Sequence, residues 1–239
     1  MLDNVFDYYQ SYFDRVKNSE KENIEKASDL IVESILDGGK IYIFGTGHSH
    51  MIAEEIYIRA GGLALVEAIL PDEVMLHQMA NKSTFVERLS GYSKELLELY
   101  ELNDQDVLII VSNSGRNNVV VEMALEAREK NIKTIGLTSL SHSHMTESRH
   151  ESGKKLYELV DVVLDNHAPK GDAVFTVGDY QLGPVSTFTS VVIIQAVIVL
   201  VVSRLSEMGV EVPVFKSSNL DEAETYNKEL FKKYYGVRK

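Results

Sequence analysis

The sequence predicts an α/β protein of three layers: a five-stranded parallel sheet with helices on both faces. Three observations predict it. Five short apolar runs rich in Val, Ile and Leu recur along the chain, at 40–44, 63–69, 106–111, 133–138 and 159–164. Helical patterns separate them, and strands that alternate with helices form parallel sheets covered on both sides. Two of the runs also end at glycine turns that open directly into helices.

The elements follow in order. In residues 1–37, Val5, Tyr8, Tyr9, Tyr12 and Phe13 recur at helical spacing, and a second stripe follows at Ile24, Ala27, Leu30, Ile31 and Ile35. Gly38 and Gly39 stop that stripe as a C-cap does. KIYIF at 40–44 is a buried strand, followed by a glycine turn and a helix from about 49 to 60. Residues 63–69 form the second strand. The segment 71–103 reads as loop with helices at 85–89 and 93–99. DVLIIV at 106–111 is the third strand, 119–130 an amphipathic helix and 133–138 the fourth strand. Residues 141–153 are a Ser- and His-rich loop with a helical turn, and 159–164 is the fifth strand. With Pro169, Gly171, Gly178 and Gly183, residues 167–183 read as a long irregular loop. An apolar helix spans 184–208 and a polar one 221–235. The whole, 1–239, is expected to be one domain, with a core at about 30–208, a helical N-terminal extension at 1–37 and a tail at 209–239.

Composition narrows the partners. The net charge is −12 and there is no cysteine. An acidic surface argues against nucleic acid and anionic membranes, though not against a small anion held by N–H groups and hydroxyls. Without cysteine there is no disulfide framework, thiolate metal site or thiol nucleophile, which suits the cytoplasm. The longest apolar run, 191–202, is shorter than the roughly 20 residues a bilayer needs, so it reads as a buried helix.

Two loops carry the functional signal: Gly45-Thr46-Gly47-His48-Ser49 and Ser112-Asn113-Ser114-Gly115-Arg116-Asn117. Each joins the carboxyl end of a buried strand to the start of a helix, where ligands of parallel sheets collect. Helix N-termini present unpaired N–H groups, glycine admits a close backbone approach, and serine adds a hydroxyl donor. Ser49 and Ser114 could instead be plain N-caps, but two loops of one design favour an anion. A dinucleotide fingerprint begins at Gly45-Thr46-Gly47, with Glu67 about 20 residues on. It fails at His50, where a third glycine belongs, and neither loop has the G-K-[ST] ending of a P-loop.

At these residues the chain resembles the sugar isomerase (SIS) domain family. The resemblance lies in GGKIYIFGTGHS at 38–49, DVLIIVSNSGRN at 106–117, REKNIKTIGLTS at 128–139 and GPVSTFTSVVIIQ at 183–195. Within it the chain is similar to stand-alone bacterial proteins, phosphoheptose isomerases among them. RAGGLA at 59–64 and LHQMANKS at 76–83 resemble N-acetylmuramic acid 6-phosphate etherases in layout. The resemblance implies flavodoxin-like winding, a homodimer or homotetramer, and a phosphorylated sugar at the strand ends. It implies that Ser49, Ser112, Ser114 and Asn117 hold the phosphate, helped by N–H groups of Gly47, Gly115 and Arg116. Asn117 stands where many members have Ser or Thr. Zinc-binding phosphoheptose isomerases have a His and a Glu where this chain has Glu55 and Arg59, and a cation at a ligand position argues against that zinc. No cofactor is therefore carried over.

Aldose–ketose isomerisation needs a base beside the carbon acid and a proton shuttle, and ether elimination also starts at a carboxylate. Glu54 and Glu55 follow the first loop, and since helical neighbours diverge by about 100°, one faces the pocket; Glu55 is taken as the base. His48 and His167 are the acid/base or hydroxyl-contact candidates. The pairs His48/His50 and His142/His144 permit a metal cluster, but loop histidines are more often surface residues and no metal is assigned. His77 and Lys82 lie in a segment that, by the resemblance, often reaches a neighbouring subunit's site. A non-catalytic phosphosugar sensor or regulatory protein, and a lyase similar to the N-acetylmuramic acid 6-phosphate etherases, are the competing readings.

Overall fold

A computed structural model describes residues 1–79 and 81–236. Two helices come first, α1 (Leu2–Ser19) and α2 (Lys21–Leu36). They lead to β1 (Ile41–Gly45), α3 (His50–Ile56) and β2 (Val66–Ile69). Then come α4 (Lys82–Val86), α5 (Tyr92–Leu99), β3 (Val107–Val111) and α6 (Asn118–Glu129). β4 (Lys133–Thr138), α7 (Leu140–His144) and β5 (Val162–Asp165) follow. The last elements are β6 (Ala173–Val177), β7 (Tyr180–Pro184), α8 (Ser186–Glu207) and α9 (Ala223–Leu230).

Among the described residues, five strands make one parallel sheet in the order β2-β1-β3-β4-β5. Successive strand residues point to opposite faces. Ile41 and Ile43 of β1 therefore pack with α2, α3 and α8, through Ile31, Ile52, Ile193 and Val197. Tyr42 and Phe44 pack on the other face with α5 and α6, through Leu97, Val120 and Met123. Each aliphatic side chain so buried contributes about 1.5–3 kcal/mol. This is the three-layer arrangement that the alternating pattern predicts.

Three stretches differ from the sequence reading. Only the first part of 167–183 is irregular: from 173 on, Ala173–Val177 and Tyr180–Pro184 pair as an antiparallel hairpin. Gly183 forms part of it at φ +68, and a Cβ there would lie 2.4 Å from the Phe175 ring. The glycines that suggested a loop thus serve a tight ribbon, which leans on α1 through Tyr8 and Tyr9 against Phe175. The helix after β1 ends at Ile56 rather than near 60, and Ile58 takes φ +43. The chain bends there to meet the tail: Phe215 N donates to Gly62 O, Ala64 N to Pro213 O, and Leu63 bridges Val214. Finally, α8 has 22 residues, longer than its apolar run, and by length and composition is long enough to cross a membrane. In the fold its inner face is core: Ile193, Ile194, Val197, Ile198 and Val201 are buried.

The N-terminal helices are fastened to the sheet by a charged clasp. Glu20, only 3% exposed, joins α1 to α2. Its Oε1 accepts from His167 Nε2 at 3.0 Å, and its Oε2 accepts from Asn23 Nδ2 and the Asp165 N–H, both at 3.1 Å. His167 Nδ1 lies 3.3 Å from Asp165 Oδ2. The Glu20 hydrogen bond, opposed by burial and aided by the Asp165 charge, raises the His167 pKa. Burial pushes the Glu20 carboxyl upward, but the bonds from His167, Asn23 and Asp165 outweigh it, and its pKa lies below the ordinary value. The raised histidine contributes stability fully below about pH 6.5, which is lost as pH rises through its folded pKa. The lowered carboxyl contributes above about pH 4.5 and loses its share as pH falls. The clasp is therefore strongest between these limits. Glu20→Gln is expected to cost about 1–3 kcal/mol near pH 5.5 and less at pH 8.5, measured by denaturant unfolding at both pH values.

Candidate functional site

Strand order reverses between β1 and β3. The helix after β1 runs onto the α2/α8 face and the helix after β3 onto the α5 face. The two loops part above the sheet and leave a crevice between them.

The first loop is shaped by contact. A Cβ on Gly45 would lie 2.6 Å from the Ser49 backbone, so only glycine lets the chain fold back so closely. Gly47 adopts φ +55, and Ser49 N donates to Thr46 O at 3.0 Å. The Thr46 hydroxyl donates to Glu87 Oε2 at 3.0 Å. In the second loop, Gly115 N donates to Ser112 Oγ at 3.1 Å, and Gly115 adopts φ +60. That N–H closes the turn, so it is not free for a ligand as the sequence reading had it; Ser112 still has its own O–H to give.

Several donors at these loops have no acceptor in the protein. Among the described residues, neither the Ser49 nor the Ser114 hydroxyl has a hydrogen-bond partner, and the same holds for the N–H groups of Gly47, Ser114 and Arg116. Arg116 Nε is buried without a partner. Asn117 Oδ1 accepts from Arg149 Nη1 at 2.7 Å, which leaves its amide as a donor. Arg149 is the residue the sequence reading missed here, and nothing in its local sequence marks it. Burial, then the neighbouring charges of Arg116 and Arg88, lower the Arg149 pKa. In a chain of net charge −12, this is a local concentration of cations.

Two adjoining cavities use these groups. The larger, about 410 Å³, is lined by both loops together with Ser83, Thr84, Glu87 and His142. The smaller, about 240 Å³, is lined by Asn166, Asp172, Ser186, Thr187 and Ser190. His48, Ser49 and Asn113 line both. Asn113 is held by Asn166 Nδ2 on its Oδ1 at 3.1 Å, and its own Nδ2 lies 3.3 Å from His142 Nδ1. Burial depresses the His142 pKa; Asp172 opposes this and Arg116 and Lys170 add to it. His142 is therefore neutral near pH 7. Asp172 is occupied, accepting from Val185 N, Ser186 N and Ser186 Oγ at 3.0, 2.7 and 2.6 Å as it caps α8.

The structure brings Gly47, His48, Ser49, Ser112, Ser114 and Asn117 to the larger cavity, with Gly115 and Arg116 in the same loop. It does not bring Glu55 or His167 there. Glu55 turns to α8, accepting from Gln195 Nε2 at 3.0 Å, and pairs with Arg59. The cation on the next turn thus answers the carboxylate expected to act as base. His167 is taken up by the Glu20 clasp and borders a separate hollow. Lys82 donates to Gln78 Oε1 at 2.7 Å, and His144 stacks edge-on against Tyr157. Glu67 lies in the middle of β2, not at its carboxyl end, which removes the ribose-binding acid of the dinucleotide alternative.

The SIS domain model matches residues 5–139, more than half of the 239 residues, and the chain belongs to that family. The UPF0309 protein BH3325 of Halalkalibacterium halodurans is 50% identical to it over 235 residues, 96% of this chain and 97% of that protein. The structure of phosphoheptose isomerase GmhA from Neisseria gonorrhoeae matches with a TM-score of 0.57 at 20% identity, over 84% of this chain and 97% of that one. The Vibrio vulnificus NanR protein complexed with ManNAc-6P matches with a TM-score of 0.51 at 16% identity, over 96% of this chain and 68% of that one. These two likenesses are likenesses of fold.

The turn geometry is open to a direct check. Gly45→Ala should cost about 1–3 kcal/mol, as overpacking does, because the Ser49 backbone must move. Thermal unfolding measures the loss.

Proposed function

We propose that this SIS protein binds a phosphorylated sugar and isomerises it by base-catalysed proton transfer, acting as a homodimer in the cytoplasm. One observation carries the binding reading: the unpaired donors of Gly47, Ser49, Ser114 and Asn117 line a single cavity, with Arg116 in the same loop. Convergent N–H and O–H donors without protein acceptors suit an anion, and a phosphate dianion with its several acceptor oxygens can take bonds from more than one of them at once. Ser112 contributes its remaining O–H. The smaller cavity, across His48 and Asn113, suits the hydroxylated part of the sugar.

The reaction requires a base. With Glu55 paired to Arg59, the carboxylate that lines the cavity is Glu87, one of whose oxygens is held by the Thr46 hydroxyl. We assign Glu87 the proton abstraction and His48, at the junction of the two cavities, the movement of hydroxyl protons. The sensor reading has its own support: the pairing of Glu55, and the fold likeness to NanR, a protein solved with ManNAc-6P.

Hexose, heptose and amino-sugar phosphates are expected to raise the melting temperature, and the unphosphorylated sugars are not. Ser114→Ala should weaken the binding by about 1–3 kcal/mol, read by calorimetry; unchanged affinity would remove the phosphate from this loop. Glu87→Gln should abolish turnover while binding survives. Binding with no turnover in the wild-type chain decides for the sensor.

The outer side of α8 supports the dimer. Val192, Ala196 and Leu200 border an apolar hollow with Phe13, Val16 and Ile24, and Val199 nearby is 66% exposed. A second copy would cover this surface. Light scattering should give twice the chain mass, and Leu200→Asp should return it to that of one chain.

A further inference from the structure

Beside the two cavities, three side chains converge at the start of α3. His50 is buried, and its Nδ1 is hydrogen-bonded to the carbonyl oxygen of Gly47. A carbonyl only accepts, so Nδ1 bears a proton, and in the neutral ring that leaves Nε2 with its lone pair. That lone-pair nitrogen lies 3.8 Å from Glu54 Oε2, one helical turn along the same face. From the segment between β2 and α4, His77 brings its ring within 5.2 Å of the His50 ring, centre to centre. The donor atoms of His50, Glu54 and His77 all lie within 4.8 Å of one another. Among the described residues, neither the Glu54 carboxylate nor the His77 ring has a hydrogen-bond partner.

A simple ion pair explains part of this and leaves the rest. It accounts for Glu54 near His50. It does not account for a second imidazole beside the first, nor for a buried histidine fixed in the tautomer that offers a bare nitrogen outward. Both are what a metal ion requires: a neutral imidazole, oriented by a bond from its other nitrogen to a carbonyl. Two ligands bound at about 2.0–2.2 Å to a tetrahedral ion stand about 3.3–3.6 Å apart. Glu54 and His77 are exposed and His50 is buried, so closing the present spacing of up to 4.8 Å to that range falls to the two exposed side chains. Calcium and magnesium prefer oxygen ligands, whereas two imidazoles and a carboxylate suit zinc and its first-row neighbours.

We propose that His50, Glu54 and His77 bind one divalent transition-metal ion of the zinc class, with a fourth position open. The residues differ from Glu55 and Arg59, where the family resemblance would look for zinc. His50 follows Ser49 and His77 follows Leu76, and both Ser49 and Leu76 line the larger cavity. The ion therefore ties the 70–79 segment to α3 at the cavity's edge. It also adds positive charge there.

The test uses the full chain, free of any tag, dialysed against chelator, with no sugar present, so it stands apart from the phosphosugar reading. Co²⁺ is titrated and its visible d–d absorption followed; Zn²⁺ binding is followed by calorimetry. One ion per chain is expected, with the cobalt band bleached by zinc. His77→Ala and Glu54→Gln alter exposed side chains, and circular dichroism checks their folding. Each should weaken zinc binding at least about 10-fold, while His144→Ala leaves it unchanged. No cobalt band and no zinc heat would overturn the proposal. So would one-ion binding that survives both substitutions at full affinity.

Discussion

β1 and β3 are hydrogen-bonded neighbours, yet the helices that follow them must cover opposite faces of the sheet. From that constraint the rest of the site follows. Both strands are apolar on both sides, so neither face can be left to water. The chain after β1 goes to the α2 and α8 layer, and the chain after β3 to the α5 and α6 layer. The loops between are drawn apart at their bases, and their backbone groups cannot satisfy one another. Donors accumulate there because the topology removes their natural acceptors.

Acidity of the whole and positivity of the part are compatible for the same reason. The chain carries −12 overall, but field strength in a crevice is set by the groups that line it and by how little water screens them. Arg116 stands in the second loop itself, and Arg149 is held there by the Asn117 amide. The carboxylates of this neighbourhood are spoken for: Asp172 by the α8 N-terminus, Glu87 in part by Thr46. Surface acids elsewhere are solvated and contribute little at this distance.

Much of the fold was legible because periodicity and burial coincide. β1, β3 and β4 are apolar runs bounded by turn residues, and the structure places them within a residue or two of where those runs begin and end. The hairpin at 173–184 was not, because its glycines and proline read as a loop, and its pairing with α1 is a contact between distant parts of the chain. The site divides the same way. The serines, glycines and Asn117 lie within short motifs that carry their own geometry. Glu87 and Asn166 reach the crevice, and Arg149 its Asn117, only through tertiary folding, and no local pattern announces them. Glu55 shows the converse: its position in the helix was suggestive, but the residue one turn on, Arg59, and Gln195 across the layer decide where its charge goes.

The β6–β7 ribbon changes what the N-terminal helices are. Its Phe175 rests on Tyr8 and Tyr9, Tyr9 also meets Phe188 of α8, and the ribbon ends at Pro184, on the wall of the smaller cavity. The first helix is thus the outer buttress of a cavity wall some 175 positions away in the chain, the separation at which the Tyr9 hydroxyl meets the Pro184 carbonyl. A chain trimmed to begin at α2 would keep every loop residue discussed above and still lose the support behind one side of the crevice. In this fold, the limits of the working unit are drawn by what braces the cavity as much as by what lines it.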